Sequence, residues 1–337
     1  MHPAQSGRRG YRLYAEALHG RRRGYPLYAE ALHGRRRGYT HFAPTLPPAA
    51  RATRRLPRSF FWRLAVPIAA PPYLGPTIIG GLGGVPMEQA PPVWTESFRV
   101  RAYEVDATAK ASVPAIANWL QEAAGNHATA LGWAVDALQA QGRTWVLARL
   151  HLCLKHAPGW REDVRVATWP SGVHRLYALR EFRVTGPGDR ELGIATTGWV
   201  LLDLATRRPV RLPDDLEVIA RSTPDRVLAD PFAKLPEVDG AEIAKTFEVR
   251  FSDLDMNRHA NNVSVIAWAL EALPDEVVLD AALTELEIEF RAEAVRGDHI
   301  FVQTQRAPEG STAFLHRLLR ESDGREIARA RTVWRSG

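Results

Sequence analysis

Cysteine is almost missing from this chain: Cys153 stands alone among 337 residues. A single thiol excludes an intrachain disulfide and any cluster of thiolate metal ligands, and it suits a reducing compartment such as the cytoplasm. Uninterrupted apolar runs are missing too. The longest candidate, residues 60–82, is broken by Pro67, Pro71, Pro72 and Pro76, which makes it a poor membrane span. It also lies too far from the amino terminus for a signal peptide. Acidic residues are scarce at 1–86, where fourteen Arg face only Glu16 and Glu30, a net +12 that leaves −6 for the rest of a chain totalling +6. The basic balance therefore belongs to the leading stretch and argues nothing about nucleic-acid binding by the body. No helix-turn-helix is legible, and no His or Cys spacing suits a metal.

The leading stretch has its own organisation. GYRLYAEALHGRRR at 10–23 recurs as GYPLYAEALHGRRR at 24–37, and a third copy starts at Gly38-Tyr39. Solenoid units generally exceed ~20 residues, so this period is too short for one. Residues 51–86 are rich in Pro and Gly. The composition is Arg-rich and acid-poor like an organelle transit peptide, yet Ser6 and Ser59 are its only serines. The expectation is that Met87 is the true start and that 1–86 are untranslated upstream repeats, with a disordered basic arm as the alternative.

The body can be laid against itself. Phe98, Val100, Arg101, Asp106, Trp119, Glu122 and Ala123 recur 149 residues later as Phe247, Val249, Arg250, Asp255, Trp268, Glu271 and Ala272. Further on the offset is read as 135, pairing Asp163 with Asp298 and Trp199 with Trp334, so the first half carries 14 extra residues. Each half reads as strand, helix, then a run of strands. Ser112-Val113-Pro114 opens the first helix with a cap and an early proline, and Ile116, Trp119, Leu120 and Ala123 give it one apolar face. Strands are expected at 144–155, 163–169, 176–184 and 193–204, and again at 283–291, 299–305, 313–321 and 327–334. Strand clusters with one long helix per half indicate an α+β fold, each helix wrapped by antiparallel sheet. The halves are expected at 95–207 and 245–337, joined by a linker at 208–244.

The chemistry concentrates where the second half begins. KTFEVRFSDLDMNRHANNVSVIAWALEALP, at 245–274, starts as an alternating strand with Phe247, Val249 and Phe251 on one face. It resumes as a helix with Val265, Trp268, Ala269 and Ala272 at helical spacing. Asp253, Asp255, Asn257, His259, Asn261 and Asn262 lie between. In an extended segment Asp255, Asn257 and His259 would share one side. Asn261 or Asn262 would cap the helix, whose first N–H groups can face an oxyanion. A carboxylate, an amide and an imidazole so placed can hold a water and polarise a carbonyl. At the offset of 149 Asn257 faces Thr108 and His259 faces Lys110, and only Asp255 has its like, Asp106. One site per chain, in the second half, follows.

DLDMNRHANN before an apolar helix resembles the signature of the acyl-acyl-carrier-protein (acyl-ACP) thioesterases, a double-hotdog family. WVLARLHLCLKHAPGWREDVRVATWPSG and LDLATRRPVRLPDDL are further family-like stretches, and the likeness covers roughly 95–334. It implies two tandem hotdog units forming a pseudo-dimer, the first accommodating an acyl chain and the second cleaving it from the phosphopantetheine arm of acyl carrier protein, without cofactor or metal. The family's further acidic residue on a following strand corresponds to Glu293 in LEIEFRAEA. Glu293 and His259 would then drive water attack on the thioester, with Asp255 and Asn257 orienting. At an offset of 135 Glu293 falls opposite Pro158, so the first half lacks it. Plant members commonly carry Cys after that Glu; here Ala294 excludes a thiol nucleophile at that place. Cys153, between Leu152 and Leu154, is expected in the core, and His127 reads as a helix-end histidine. The carrier is acidic and the body net negative, so docking calls for a local basic patch, sought among Arg175, Arg180, Arg207, Arg208 and Arg211. The alternatives are a hotdog acyl-coenzyme A thioesterase, which shares the pantetheine thioester, and a non-catalytic acyl sensor. A hotdog dehydratase fits less well, because no paired His and acid of that kind is found. Chain-length preference and a homodimer are left open by the sequence.

Overall fold

Alternating apolar and polar residues become ten strands of one antiparallel sheet. The computed structural model describes residues 90–308 and 312–336, so the repeats and the expectations for 1–86 lie outside the described residues. In the first half, β1 (Trp94–Arg99) leads to α1 (Val113–Ala130) and the short α2 (Val135–Ala140), then β2 (Arg143–Leu154), β3 (Asp163–His174), β4 (Tyr177–Thr185) and β5 (Glu191–Asp203). After α3 (Asp215–Ala220), the second half repeats the pattern with β6 (Ile243–Glu248), α4 (Asn262–Glu271), α5 (Asp275–Asp280), β7 (Ala281–Phe290), β8 (His299–Arg306), β9 (Ala313–Arg320) and β10 (Arg325–Ser336). The spatial order β1-β3-β4-β5-β2-β7-β10-β9-β8-β6 reads the same from either end once the halves are exchanged. This is the α+β double hotdog, two helices against one long sheet.

The halves meet where β2 pairs with β7, in the register Arg149↔Glu289, Leu150↔Ile288, His151↔Glu287, Leu152↔Leu286 and Cys153↔Glu285. Strand alternation sends Leu150, Leu152, Leu286 and Ile288 inward, each at most 3% exposed. Burying four such side chains contributes roughly 6–12 kcal/mol before chain entropy is set against it. Trp119 and Leu120 of α1 and Ile266 and Trp268 of α4 join the same core, so both halves share one apolar interior.

Three sequence expectations are corrected here. The offset relating the halves is 136, not 135, at β2 and β3, because that register maps Arg149 onto Glu285 and Cys153 onto Glu289. Isolated bridges repeat at the same offset, Lys110↔Gly159 and His259↔Val295. Glu293 therefore stands opposite Ala157 rather than Pro158, and Asp298 opposite Glu162 rather than Asp163. The surplus in the first half is thirteen residues, the difference between offsets of 149 and 136, most of it in α1, whose 18 residues compare with 10 in α4. Second, β6 stops at Glu248, and Phe251–Asp253 is a short 3₁₀ turn with Phe251 75% exposed. Asp253 makes that turn by folding its carboxylate back onto the Arg250 N–H at 2.7 Å. Third, the pleat turns Cys153 to the outer face, only half-buried, while Leu152 and Leu154 enter the core. The linker forms α3 and then lies against the outer face, burying Asp230, Phe232 and Leu235.

Candidate active site

The segment 254–260 is not extended. Asp255 N–H donates to the His259 carbonyl at 2.8 Å, and Arg258 N–H to the Asp255 carbonyl at 3.0 Å. Arg258 completes this tight loop in the left-handed region at φ 63°. The Asp255 carboxylate turns inward: its Oδ1 accepts from the backbone of Asn257 at 2.8 Å and of His259 at 3.2 Å. So Asp255 shapes the loop instead of sharing a side with Asn257 and His259. The loop runs into α4, where Asn261 is the N-cap and accepts from Val263 N–H at 2.9 Å. Asn262 is the first helical residue.

Glu293 arrives from the segment after β7. The segment is pinned to the loop by Ala260 N–H donating to the Ala294 carbonyl at 2.8 Å, and it turns where Asp298 Oδ2 accepts from Val295 N–H at 2.9 Å. Arg320 of β9 holds the Glu293 carbonyl at 3.1 Å. This frame sets Glu293 Oε2 3.4 Å from His259 Nε2, with both side chains about one-third exposed. A carboxylate and an imidazole at that distance, open to water on one side, can activate a water molecule.

Two groups from the first half complete the cluster, and sequence reasoning did not assign them there. Arg207, in the turn after β5, donates from Nη2 to the same Glu293 Oε2 that faces His259. Gln139 of α2 donates from Nε2 to Asn257 Oδ1 at 3.2 Å. With its oxygen so engaged, the Asn257 amide has its N–H₂ left to donate. These contacts span 86 and 118 residues, so no local pattern announces them. The site is built from both halves.

Beside it runs an apolar slot, lined by Ala117 and Leu120 of α1, Leu150 of β2, Phe182 of β4, and Val263 and Ile266 of α4, with Asn262 at the loop end. Its free volume is about 20 Å³, room for a single water. A long acyl chain would have to part α1 from the sheet.

The proposed basic patch loses one member. Arg180 is buried under α1, where Nη1 donates to His127 Nδ1 at 3.0 Å and to Thr168 Oγ1 at 3.2 Å. Burial, and then the charge of Arg180, hold His127 down at about 4, so its imidazole is neutral. Arg211 pairs with Asp214, and Arg207 with Glu293.

A second polar cluster lies on the outer face of the β2–β7 seam. The ligand atoms of His151, Asp230 and Glu287 fall within 4.8 Å of one another, but Arg149 already occupies the middle. Its guanidinium reaches Asp230 at 3.3 Å, Glu287 at 2.6 Å and Glu289 at 3.0 Å. A cation in that position makes the cluster an ion-pair clamp rather than a metal cradle. Burial alone would lower His151, but hydrogen bonds with Asp230, Cys153 and Glu285 and the charge of Glu287 push it up to about 11.

Comparison with known proteins agrees with this architecture. Residues 91–219 match the acyl-ACP thioesterase N-terminal domain, and residues 237–336 match the acyl-ACP thioesterase C-terminal domain. A chloroplastic palmitoyl-acyl carrier protein thioesterase of Cuphea hookeriana is 33% identical over 275 residues, 76% of this chain and 65% of that protein. Chloroplastic oleoyl-acyl carrier protein thioesterase 1 of Arabidopsis thaliana is 31% identical, over 72% of this chain and 76% of its own length. The chain thus spans about two-thirds to three-quarters of these relatives. Among solved structures, the 12:0-ACP thioesterase from Umbellularia californica superposes with a TM-score of 0.66 at 27% identity, covering 73% of this chain and 98% of that one. An acyl-ACP thioesterase from Bacteroides thetaiotaomicron gives 0.66 at 23% identity, covering 72% and 98%, and shares the fold. On these matches the chain belongs to the acyl-ACP thioesterase family.

Proposed function

We propose that this protein hydrolyses the thioester of a fatty acyl group carried on acyl carrier protein, releasing the free fatty acid and the carrier thiol. The observation that carries the reading is the pairing of His259 with Glu293 at 3.4 Å beside an apolar slot that starts at Asn262. Both His259 and Arg207 contact Glu293 Oε2, which leaves Oε1 to accept a proton from water. The water oxygen attacks the carbonyl carbon, and the Asn257 N–H₂ donates to the developing oxyanion. His259 passes a proton to the departing sulfur as the carbon–sulfur bond breaks. Asp255 orients the set through its two bonds to the loop backbone. The acyl chain would enter the slot between α1, α4 and the sheet, which has to widen to take it, and each methylene withdrawn from water contributes roughly 0.8 kcal/mol.

Arg175, Arg208 and Arg211, all exposed, offer positive charge for an acidic carrier, and the single cysteine suits a reducing compartment, the cytoplasm. The test is to express residues 87–337 and compare hydrolysis of acyl-ACP and acyl-coenzyme A of several chain lengths. The expected result is kcat/KM at least ~10-fold higher on the carrier protein, because only the protein carrier gains from complementary charge. Equal rates on both substrates would reassign the chain as a general acyl thioesterase, and no hydrolysis of either would refute the reading.

A further inference from the structure

The Arg207–Glu293 contact crosses from the first half to the second, and it is displayed by a rigid turn. Asp203 Oδ1 accepts from the Thr206 backbone at 2.7 Å and from the Thr206 hydroxyl at 2.8 Å. Arg207 N–H donates to the Asp203 carbonyl at 2.8 Å, and Asp203 N–H to the Arg208 carbonyl at 3.0 Å. This turn holds Arg207 in the left-handed region at φ 56°, where a residue with a β-carbon is strained and Gly or Asn would sit more easily. The side chain is 59% exposed, so the ion pair adds little to stability. A strained backbone position that yields so little stability is better explained by what the guanidinium does to the carboxylate it touches.

The geometry points to Arg207 as a positioning residue for the proposed hydrolysis: the first hotdog contributes a guanidinium that fixes the Glu293 carboxylate by one oxygen and presents the other to the attacking water. This rests on the reading of Glu293 as the water-activating group. The two contacts on Oε2 come from opposite halves, His259 from the loop before α4 and Arg207 from the turn after β5. Without Arg207 the carboxylate is held by His259 alone and rotates about its last bonds. Glu293 would then turn its oxygens away from the line of attack in a large fraction of encounters. Arg320 holds only the Glu293 backbone carbonyl and cannot replace this contact. The role also gives the first half a part in the chemistry carried by the second, whose own side chains hold the carboxylate through His259 alone.

The experiment uses the full chain with Arg207→Ala, Arg207→Lys and the control Arg221→Ala, an exposed arginine at the end of α3, assayed on acyl-ACP. A displaced catalytic group loses about 10²-fold, so Arg207→Ala is expected to lower kcat by roughly 30- to 100-fold with KM changed less than about threefold. Lysine restores the charge but not the fork, and is expected to recover about tenfold of the loss. Arg221→Ala keeps the wild-type kcat. The proposal is overturned by a kcat within twofold of wild type in Arg207→Ala, or by a loss confined to KM, which would make Arg207 a carrier-docking residue. Should Arg207→Ala fail to fold, as judged by its melting curve, the lysine variant decides: a kcat within twofold of wild type or a change confined to KM overturns the proposal, and a kcat reduced more than twofold with KM nearly unchanged supports it. An inactive wild type would instead refute the thioesterase reading itself, and that is read before any variant.

Discussion

In the first half, Asp106 Oδ1 accepts from the backbone of Thr108 at 2.8 Å and of Lys110 at 3.3 Å; in the second, Asp255 Oδ1 accepts from Asn257 and His259 at 2.8 and 3.2 Å. Both loops close the same way, Asp106 N–H to the Lys110 carbonyl and Asp255 N–H to the His259 carbonyl, each at 2.8 Å. Both place their fourth residue in the left-handed region, Ala109 at φ 60° and Arg258 at 63°. Ser112 and Asn261 cap the helices that follow. The turn beyond is also repeated, with Glu162 Oε2 accepting from Gly159 N–H as Asp298 accepts from Val295. What differs is the set of side chains carried on this common frame: Thr108, Lys110 and Ala157 against Asn257, His259 and Glu293. The loop is thus a structural device that either half needs, and under the proposed function the chemistry is an addition to one of them.

The seam tells the same story of divergence from symmetry. At the offset of 136, Arg149 corresponds to Glu285, His151 to Glu287 and Cys153 to Glu289. A symmetric pairing of two identical strands would set like charges opposite one another. This chain instead sets Arg149 and His151 against three glutamates, so each half can pair only with the other. The linker adds Asp230 to the cationic side, which ties the connection between the halves to the seam itself.

The largest expected effect comes from breaking that complementarity. Arg149→Ala removes the cation shared by Asp230, Glu287 and Glu289, leaving them to His151, Arg331 and Arg291, and is expected to cost about 3 kcal/mol, measured by denaturant unfolding. His151 is next and carries a pH signature. Its value is raised above that of the unfolded chain, so its contribution is complete below about 6.5 and disappears as pH rises through about 11. Asp230 is held down at about 2, burial opposing and the hydrogen bond from His151 leading the stabilisation, so its contribution is complete above about 4 and lost as pH falls through about 2. The gap in Tm between wild type and His151→Ala is therefore expected to be widest between about pH 4 and 6.5 and to narrow steadily towards pH 10. A gap that widens with alkaline pH would contradict the clamp. The smallest effect separates the two loops. Asp106→Ala and Asp255→Ala each remove a pair of backbone hydrogen bonds and are expected to cost about 1–2 kcal/mol alike. Only Asp255→Ala should also reduce kcat, by about 10²-fold, because only its loop carries groups whose placement matters. Equal activity in the two variants would mean that the loops do not differ in function.

Much of this was legible in the sequence because it is local. Strand alternation, helix caps at Ser112 and Asn261, and the 149-residue repeat all leave periodic or short-range signals. The offset slipped by one beyond the helix because Trp199 and Trp334 are 135 apart while the earlier strands are 136 apart, and the chance match of Asp163 to Asp298 hid the change in hairpin length between β3–β4 and β8–β9. Phe251 was placed on a strand because alternation continues past Glu248, whereas Asp253 bonding back to Arg250 ends the extended backbone. Arg180 reads as a surface cation in any composition argument, and only the packing of α1 onto β4 shows it buried. Gln139 left no trace, and Arg207 was legible only as a candidate for the basic patch, since their partners lie on the other half of the chain.

The most direct measurement gives the second loop the identities of the first. A chain with His259→Lys and Glu293→Ala, assayed on acyl-ACP beside wild type, keeps every backbone contact described for the loop. The account predicts a loss of at least about 10³-fold in kcat with a Tm within a few degrees of wild type. Hydrolysis persisting within tenfold of wild type would show that the thioester is cleaved elsewhere, and would contradict it.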